Sequence, residues 1–477
     1  MISPPKNPPP PDGTRGKNSA SQPAPDDVTL IYPYFHTHAP NAMLFHPLGI
    51  AQLAAILRGL RLHTQVIDCT FENRDDVILK IVHARPRIVG IYAMLSMSEN
   101  AFVLARDIRK LLPETLLVCG GPLPTLKPGH FAAGFDAVFR GEADVSFPRF
   151  CLDYIKSGSS PARLSRLVNN PEKYPGLYLN HPQDGTLIQS APAASDDKSI
   201  DRLPIPDRSD YDHAKYQKFW SDREEYSLAG IMTSYGCPFD CDFCSKPIFG
   251  NRLRIRGMDR LFEEIRDIKD HGYTGLWIAD DCFSLDPAHV RRFCQRLISE
   301  KLDMKWHCLS RVDRVTRSDI ALWEAAGCRK VFFGLESGSN EILKLMNKKT
   351  STDEAEKTIK RFAGSHIRTA GFFIVGYPGE TDATIETTFK WALSLPLDEI
   401  SFTIPYPLPG TRLYERIMQV DENLDWQYEN ENRMVFQSDF NENDLKKRID
   451  AVYLSFNTRR GANKTPVSDP GKPEAKI

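Results

Sequence analysis

The chain has no apolar run of the roughly 18 residues that a bilayer-spanning helix needs, so no membrane is expected as a partner. It also lacks an excess of charge of either sign: 61 Lys and Arg stand against 62 Asp and Glu, a formal net charge of −1. That balance removes the electrostatic basis for broad binding to nucleic acid or anionic lipid, so no nucleic-acid partner is expected. Cysteine is too sparse for a disulfide framework, ten residues scattered over 477, which points to a reducing cytoplasm. Residues 1–27 are rich in Pro, Ser and Asn without the apolar stretch of a secretory signal, and read as a disordered leader. What is present is ordinary for a globular protein, 41% hydrophobic and 26% charged. The length exceeds one ordinary core and predicts two or three domains.

From residue 28 onward, short apolar runs alternate with amphipathic stretches. Strands are expected at 28–34, 64–68, 88–92, 116–119 and 137–139, with helical spacing at 48–60, 74–83, 99–112 and 145–155. Strands alternating with helices imply a parallel sheet covered on both faces. The fold class expected for residues 28–156 is therefore α/β, a Rossmann-like (flavodoxin-like) domain with its ligand crevice at the carboxyl ends of the strands. Residues 157–225 break the rhythm with Ser, Gly and Pro, and read as a connector with some structure of its own, including short extended pieces such as 176–180. A second alternation fills residues 226–415, with strands at 228–233, 275–279, 305–309, 330–333, 369–374 and 399–403. Six such units are short of the eight that close a barrel, so a partial (β/α)6 TIM-type barrel is expected, with its chemistry at the C-terminal ends of the strands. Residues 416–460 read as a helical extension and 461–477 as a disordered tail.

The first strand of the second domain runs into Thr233-Ser-Tyr-Gly-Cys237-Pro-Phe-Asp-Cys241-Asp-Phe-Cys244. Thiolates this closely spaced suit a soft metal or an iron–sulfur cluster. Three local ligands leave one coordination position open, as a catalytic metal requires. A structural zinc site would want a fourth ligand in paired spacing, and three buried, unligated cysteines are the remaining alternative.

With this spacing, C-x3-C-x2-C with an aromatic before the last cysteine, the segment resembles the signature of the radical S-adenosylmethionine family. The resemblance implies that Cys237, Cys241 and Cys244 hold a [4Fe-4S] cluster whose fourth iron is chelated by S-adenosyl-L-methionine, and that reductive cleavage releases a 5′-deoxyadenosyl radical. It further implies an electron donor such as a flavodoxin or ferredoxin, and a contact of Phe243 with adenine. A core aromatic is the plainer reading of Phe243.

Other strand ends carry the same likeness. Asp280 and Asp281 end the second strand where similar proteins have an acidic pair near the cofactor's amino group, although Gly-Gly-Glu is the commoner form. A helix N-terminal charge effect is the alternative. Ser310 and Arg311 follow the third strand, where an Arg can fork onto a carboxylate. Gly334-Leu-Glu336-Ser-Gly338 follows the fourth, with Glu336 as an acceptor for ribose or an amine. Gly376-Tyr-Pro-Gly379 follows the fifth as a backbone contact for ribose or adenine, and residues 405–411 close the sixth. Among the remaining cysteines, Cys282 beside Asp281 is the candidate catalytic thiol, with burial as the default.

The first domain resembles the cobalamin-binding domain of one radical subclass, through His46-Pro-Leu-Gly49, Val89-Gly-Ile, Gly120-Gly121-Pro122 and Arg140-Gly141-Glu142. The resemblance implies that Gly120, Gly121, Glu142, Ser96 and Ser98 meet the cofactor. The D-x-H-x-x-G motif that supplies a histidine to cobalt is absent, and His36 and His38 lack its context. Cobalamin is therefore expected to bind without a histidine lower ligand. The function expected is a cobalamin-dependent radical methyltransferase acting on an unactivated carbon or phosphorus centre of a small-molecule substrate. A radical oxidoreductase or cyclase, and a non-catalytic metal-binding protein, are the alternatives; charge balance disfavours a tRNA-modifying role.

Overall fold

The computed structural model describes residues 26–36, 43–193, 200–418, 434–436 and 438–461. Most of the expected leader, most of the expected tail and the middle of the expected extension lie outside the described residues, as does His38.

The first sheet contains β1 (Val28–Tyr32), β2 (Thr64–Asp68), β3 (Ile88–Tyr92), β4 (Leu116–Gly120), β5 (Ala137–Phe139), β6 (Leu177–Asn180) and β7 (Leu187–Gln189), in the order β2-β1-β3-β4-β5-β6-β7. The first five strands are parallel, and their 2-1-3-4-5 order is flavodoxin-like, with its switch point between β1 and β3. Successive strand residues point to opposite faces. Leu30, Ile88, Leu116 and Val118 therefore enter one core with the helices Leu48–Gly59 and Ser146–Lys156. Ile31, Val89, Ile91 and Leu117 enter another with Arg74–Ala84 and Ser98–Leu111.

The stretch read as a connector is part of both domains. β6 and β7 extend the first sheet in antiparallel fashion, against residues 137–139 and then one another. The helix His213–Glu224 buries Tyr216, Phe219 and Trp220 in the core of the second domain. Its Ser, Gly and Pro residues mark the turns between these pieces, which is why composition alone read as a linker.

The second sheet comprises β8 (Leu228–Ile231), β11 (Gly275–Ile278), β12 (Lys305–Ser310), β13 (Cys328–Glu336), β14 (Arg368–Ile374) and β15 (Glu399–Thr403), all parallel and adjacent in chain order. Six strands leave the barrel open. Its β8 edge abuts the first domain, where Gly230 faces Leu48 closely enough that an added Cβ would stand 3.5 Å away. Between β8 and β11 a short ribbon of β9 (Ser234–Tyr235) and β10 (Arg254–Ile255) carries the cysteine loop at its tip. The helix Glu442–Gly461 packs Leu445, Ile449 and Val452 into the barrel core. Among the described residues no helix is long and apolar enough to cross a membrane.

Candidate active site

The cysteine loop is built by its flanks. Gly236, immediately before Cys237, has φ +79°, and a Cβ there would stand 2.4 Å from the Arg252 carbonyl, so only glycine lets the ribbon turn into the loop. Lys246 donates through Nζ to the carbonyl of Cys237 at 2.9 Å and to that of Phe239. The Arg311 guanidinium lies 3.6 Å from the centroid of the Phe239 ring and donates to Asp313 at 2.9 Å and to the Lys348 carbonyl at 3.1 Å. Arg311 thus braces the loop between its first two cysteines.

Cys237 and Cys241 are half-buried, Cys244 is exposed, and all three are free thiols. Burial, with Cys241 beside it, pushes the Cys244 thiol up to about 11, so a metal bound at Cys244 would displace its proton. Among the described residues no three His, Cys, Asp or Glu side chains converge tightly enough to share one metal ion. The donors this loop offers are thiols, and soft sulfur donors suit an iron–sulfur cluster.

Asp280 and Asp281 divide their work. Asp280 is buried and accepts hydrogen bonds from the Thr233 amide, the Thr233 hydroxyl and the Ser234 hydroxyl, each at 2.6 Å. It ties the end of β11 to the end of β8 at the entrance of the cysteine loop. These hydrogen bonds make Asp280 a brace at the entrance of the loop. Asp281 accepts from the Gly236 amide and faces Lys246; burial raises its carboxyl above the usual range.

Glu336 ends β13 with φ +60°, a left-handed conformation uncommon outside glycine, at an irregularity in the β13–β14 register. Its carboxylate pairs with Lys348 Nζ at 2.5 Å, and both side chains are buried. Sequence reasoning missed Lys348. Burial works against its charge, yet Glu336 and the neighbouring Cys241 thiol push its pKa up. Its Nζ also lies 5.9 Å from the centre of the Phe243 ring. A buried ammonium two residues beyond Met346, whose carbonyl accepts from the Asp242 amide, is a ready partner for an anion at the cysteine site. Phe243 itself packs with Ile342, Met346 and Tyr377.

Other expected contacts are redistributed. Ser310 donates to the Ser284 hydroxyl at 2.7 Å, and Cys282 Sγ lies 3.6 Å from the same oxygen. Burial pushes the Cys282 thiol up to about 11, so this candidate nucleophile is protonated at neutral pH and sits in a buried polar cluster. Gly376 lies under Leu445 and Met434, and Gly379 under Leu345, so side chains occupy the space over both turns.

Between the two domains lies a cavity of about 440 Å³. The first domain contributes Gly90, Val118, Gly120, Gly121, Phe139, Glu142 and Phe147, and the barrel contributes Met232, Tyr235, Phe249, Trp277 and Ala279. Gly121 has φ +117°, and a Cβ there would meet the Ala93 carbonyl at 2.5 Å. Gly49, on the same wall, has open space where a side chain would stand, with nothing within 4 Å. These glycines let a large ligand lie against the backbone at the strand ends. Ser96 and Ser98 do not line the cavity. Glu142 does, but its carboxylate is paired with Arg254 at 2.6 and 2.9 Å. His46, the one histidine among the described lining residues, is stacked on Tyr211 and bonded through Nε2 to the Tyr273 hydroxyl at 2.8 Å.

Two family models match the chain: the radical SAM superfamily over residues 231–392 and the B12 binding domain over residues 41–150. A Pyrococcus horikoshii protein named as an uncharacterized methyltransferase is 31% identical over 428 residues, covering 87% of this chain and 88% of that protein. An anaerobic magnesium-protoporphyrin IX monomethyl ester cyclase of Rubrivivax gelatinosus is 26% identical over 444 residues, with 90% and 77% covered. The solved structure of the radical S-adenosylmethionine methyltransferase TsrM from Kitasatospora setae, with cobalamin and a [4Fe-4S] cluster bound, matches with a TM-score of 0.70 at 18% identity. That match covers 83% of this chain and 75% of the other, and it shows a shared fold.

Proposed function

Because the chain belongs to the radical S-adenosylmethionine family whose members carry a cobalamin-binding domain, we propose that it is a methyltransferase acting on an unactivated carbon or phosphorus centre of a small molecule. The observation that carries this reading is the shared wall of the two sites. Tyr235 lines the interdomain cavity and stands two residues before Cys237, so a group in that cavity lies beside the cysteine loop.

Cys237, Cys241 and Cys244 would hold the [4Fe-4S] cluster. The buried Lys348–Glu336 pair, beside Cys241, would meet the charged end of S-adenosyl-L-methionine, with Lys348 for its carboxylate. The interdomain cavity would take cobalamin against Gly49, Gly120 and Gly121, without a histidine ligand because His46 is enclosed and bonded to Tyr273. When bound, these groups supply a radical initiator and a methyl carrier, chemistry that no side chain provides. The chain's own work is to orient them. Asp280 fixes the start of the loop, Arg311 braces it, and the largely apolar cavity wall seats the larger group. The described cysteines are all free thiols, which supports a reducing cytoplasm, where a flavodoxin or ferredoxin would deliver the electron.

The test is anaerobic purification with iron, sulfide and hydroxocobalamin, followed by incubation with methyl-labelled S-adenosyl-L-methionine and candidate substrates. Label in the product supports methyl transfer. Reductive cleavage and turnover without label in the product would favour the second reading, an oxidoreductase or cyclase, which the Rubrivivax cyclase relative keeps in view. A chain that takes up zinc, takes up no iron and leaves S-adenosyl-L-methionine intact would defeat both readings.

A further inference from the structure

The Arg140-Gly141-Glu142 motif pointed to Glu142 as the polar contact of the cavity, yet the structure commits Glu142 to Arg254. Two residues on, Asp144 lines the same cavity and makes no hydrogen bond or ion pair with any described residue. It is closely surrounded by protein and still keeps part of its surface open, which is the condition of a side chain facing an internal cavity. It stands at the N-terminal end of the helix Ser146–Lys156, where negative charge is favoured. That helix nevertheless receives no side-chain hydrogen bond at its cap, so capping does not explain the carboxylate. A carboxylate with no protein donor in a largely apolar cavity is left to water, or to a ligand donor that displaces the water.

The geometry points to Asp144 as the acceptor that seats a carboxamide arm of the bound corrin ring at the seam between the domains. This rests on the cobalamin reading above. A corrin ring carries primary amides around its edge, each with two N–H donors, and a carboxylate is the acceptor that binds such a donor most strongly. Among the described residues, the charged and titratable groups facing Asp144 are Glu142 from the first domain, and Arg254 and Tyr235 from the ribbon of the barrel. Asp144 is therefore a contact made by the first domain at the point where the second closes over it. Burial first, and Glu142 second, push its carboxyl up to about 6, so its charge changes just below neutrality.

The experiment titrates the purified full chain with hydroxocobalamin, and separately with cobinamide, which keeps the ring's amide arms and lacks the nucleotide tail. Wild type, Asp144→Asn and Asp144→Ala are compared by equilibrium binding, and the unfolding temperature of each unliganded variant checks folding. Asp144→Ala is expected to weaken both ligands about tenfold or more while unfolding like wild type. Asp144→Asn, which keeps one acceptor oxygen, is expected to lose less. Wild-type affinity should fall as pH drops through about 6, and that fall should be absent in Asp144→Asn. Equal binding of both ligands by wild type and Asp144→Ala would overturn the inference alone. Weakening of cobalamin with unchanged cobinamide would also overturn it, because the contact would then be to the tail. A wild-type chain that binds neither ligand would overturn the cobalamin reading together with this one.

Discussion

Arg254, on the ribbon that carries the cysteine loop, holds Glu142 of the first domain in a two-point ion pair at 2.6 and 2.9 Å, with side chains 3% and 6% exposed. The pair is the buried electrostatic link between the cobalamin-binding domain and the segment that leads into the three cysteines. Removing one partner leaves the other charge buried and alone, which costs about 3 kcal/mol or more. Glu142→Ala and Arg254→Ala should each lower the unfolding temperature by several degrees and reduce cobalamin retention on gel filtration. The double variant should be less destabilised than the sum of the two; strict additivity in that cycle would show that the pair is not coupled.

The Lys348–Glu336 pair makes a second prediction, with a different readout. Lys348→Met strands the Glu336 carboxylate next to the cysteine site. Iron content after reconstitution should stay close to wild type, because no thiol is altered. Affinity for S-adenosyl-L-methionine should fall by at least tenfold, a charged hydrogen bond being worth about 1.5–3 kcal/mol. Lys348→Arg should restore part of that affinity. A variant with unchanged affinity would return Lys348 to a purely structural role.

Asp280 gives a third. Its three hydrogen bonds at 2.6 Å join the ends of β11 and β8. Asp280→Asn keeps one acceptor oxygen and replaces the other with a donor, which cannot accept from the Thr233 and Ser234 hydroxyls. The cysteine loop should then hold its iron less tightly, seen as faster loss of iron to a chelator, while S-adenosyl-L-methionine binding to whatever cluster remains is little changed. If instead binding collapses at full iron content, Asp280 contacts the cofactor directly.

How much of this was visible in the sequence depends on what each position answers to. Strands and helices of both domains follow the apolar periodicity, because parallel strands covered on both faces must be apolar along their length, as Leu30, Ile31, Leu117 and Val118 show. The cysteine loop lies, as expected, just after the first strand of the second domain, and it was legible as a motif because its spacing is local. The contacts of Asp280, Glu142 and Glu336 were not, since their partners Thr233, Arg254 and Lys348 are fixed by tertiary packing. The connector was legible only in part: the extended piece at 176–180 contains β6, but its antiparallel pairing with β5, and that of the three-residue edge strand β7 with β6, leave little trace in periodicity. Asp144 carried no separate signal beyond standing next to a motif whose more conspicuous acid, Glu142, is already committed to Arg254.

Acid sensitivity supplies the last prediction. His289, in the first turn of the helix Pro287–Ser299, is 2% exposed, and neither ring nitrogen has a hydrogen-bond partner. Burial lowers its pKa from 6.5 to about 4, with Asp286 pulling the other way. Well above pH 6.5 the imidazole is neutral in folded and unfolded chains alike, and it makes no pH-dependent contribution. Between about 6.5 and 4 the unfolded chain takes up a proton that the folded chain refuses, so stability falls as pH falls through that window. By pH 4 this single residue removes about 3 kcal/mol, and below that its effect levels off. His289→Leu keeps the apolar volume and deletes the titration. Its denaturant-unfolding free energy should therefore match or exceed wild type at pH 7.5 and decline less steeply between pH 6.5 and 5. Parallel decline in the two proteins would mean that acid acts elsewhere, and the buried His46 and His307 would be the next imidazoles to replace.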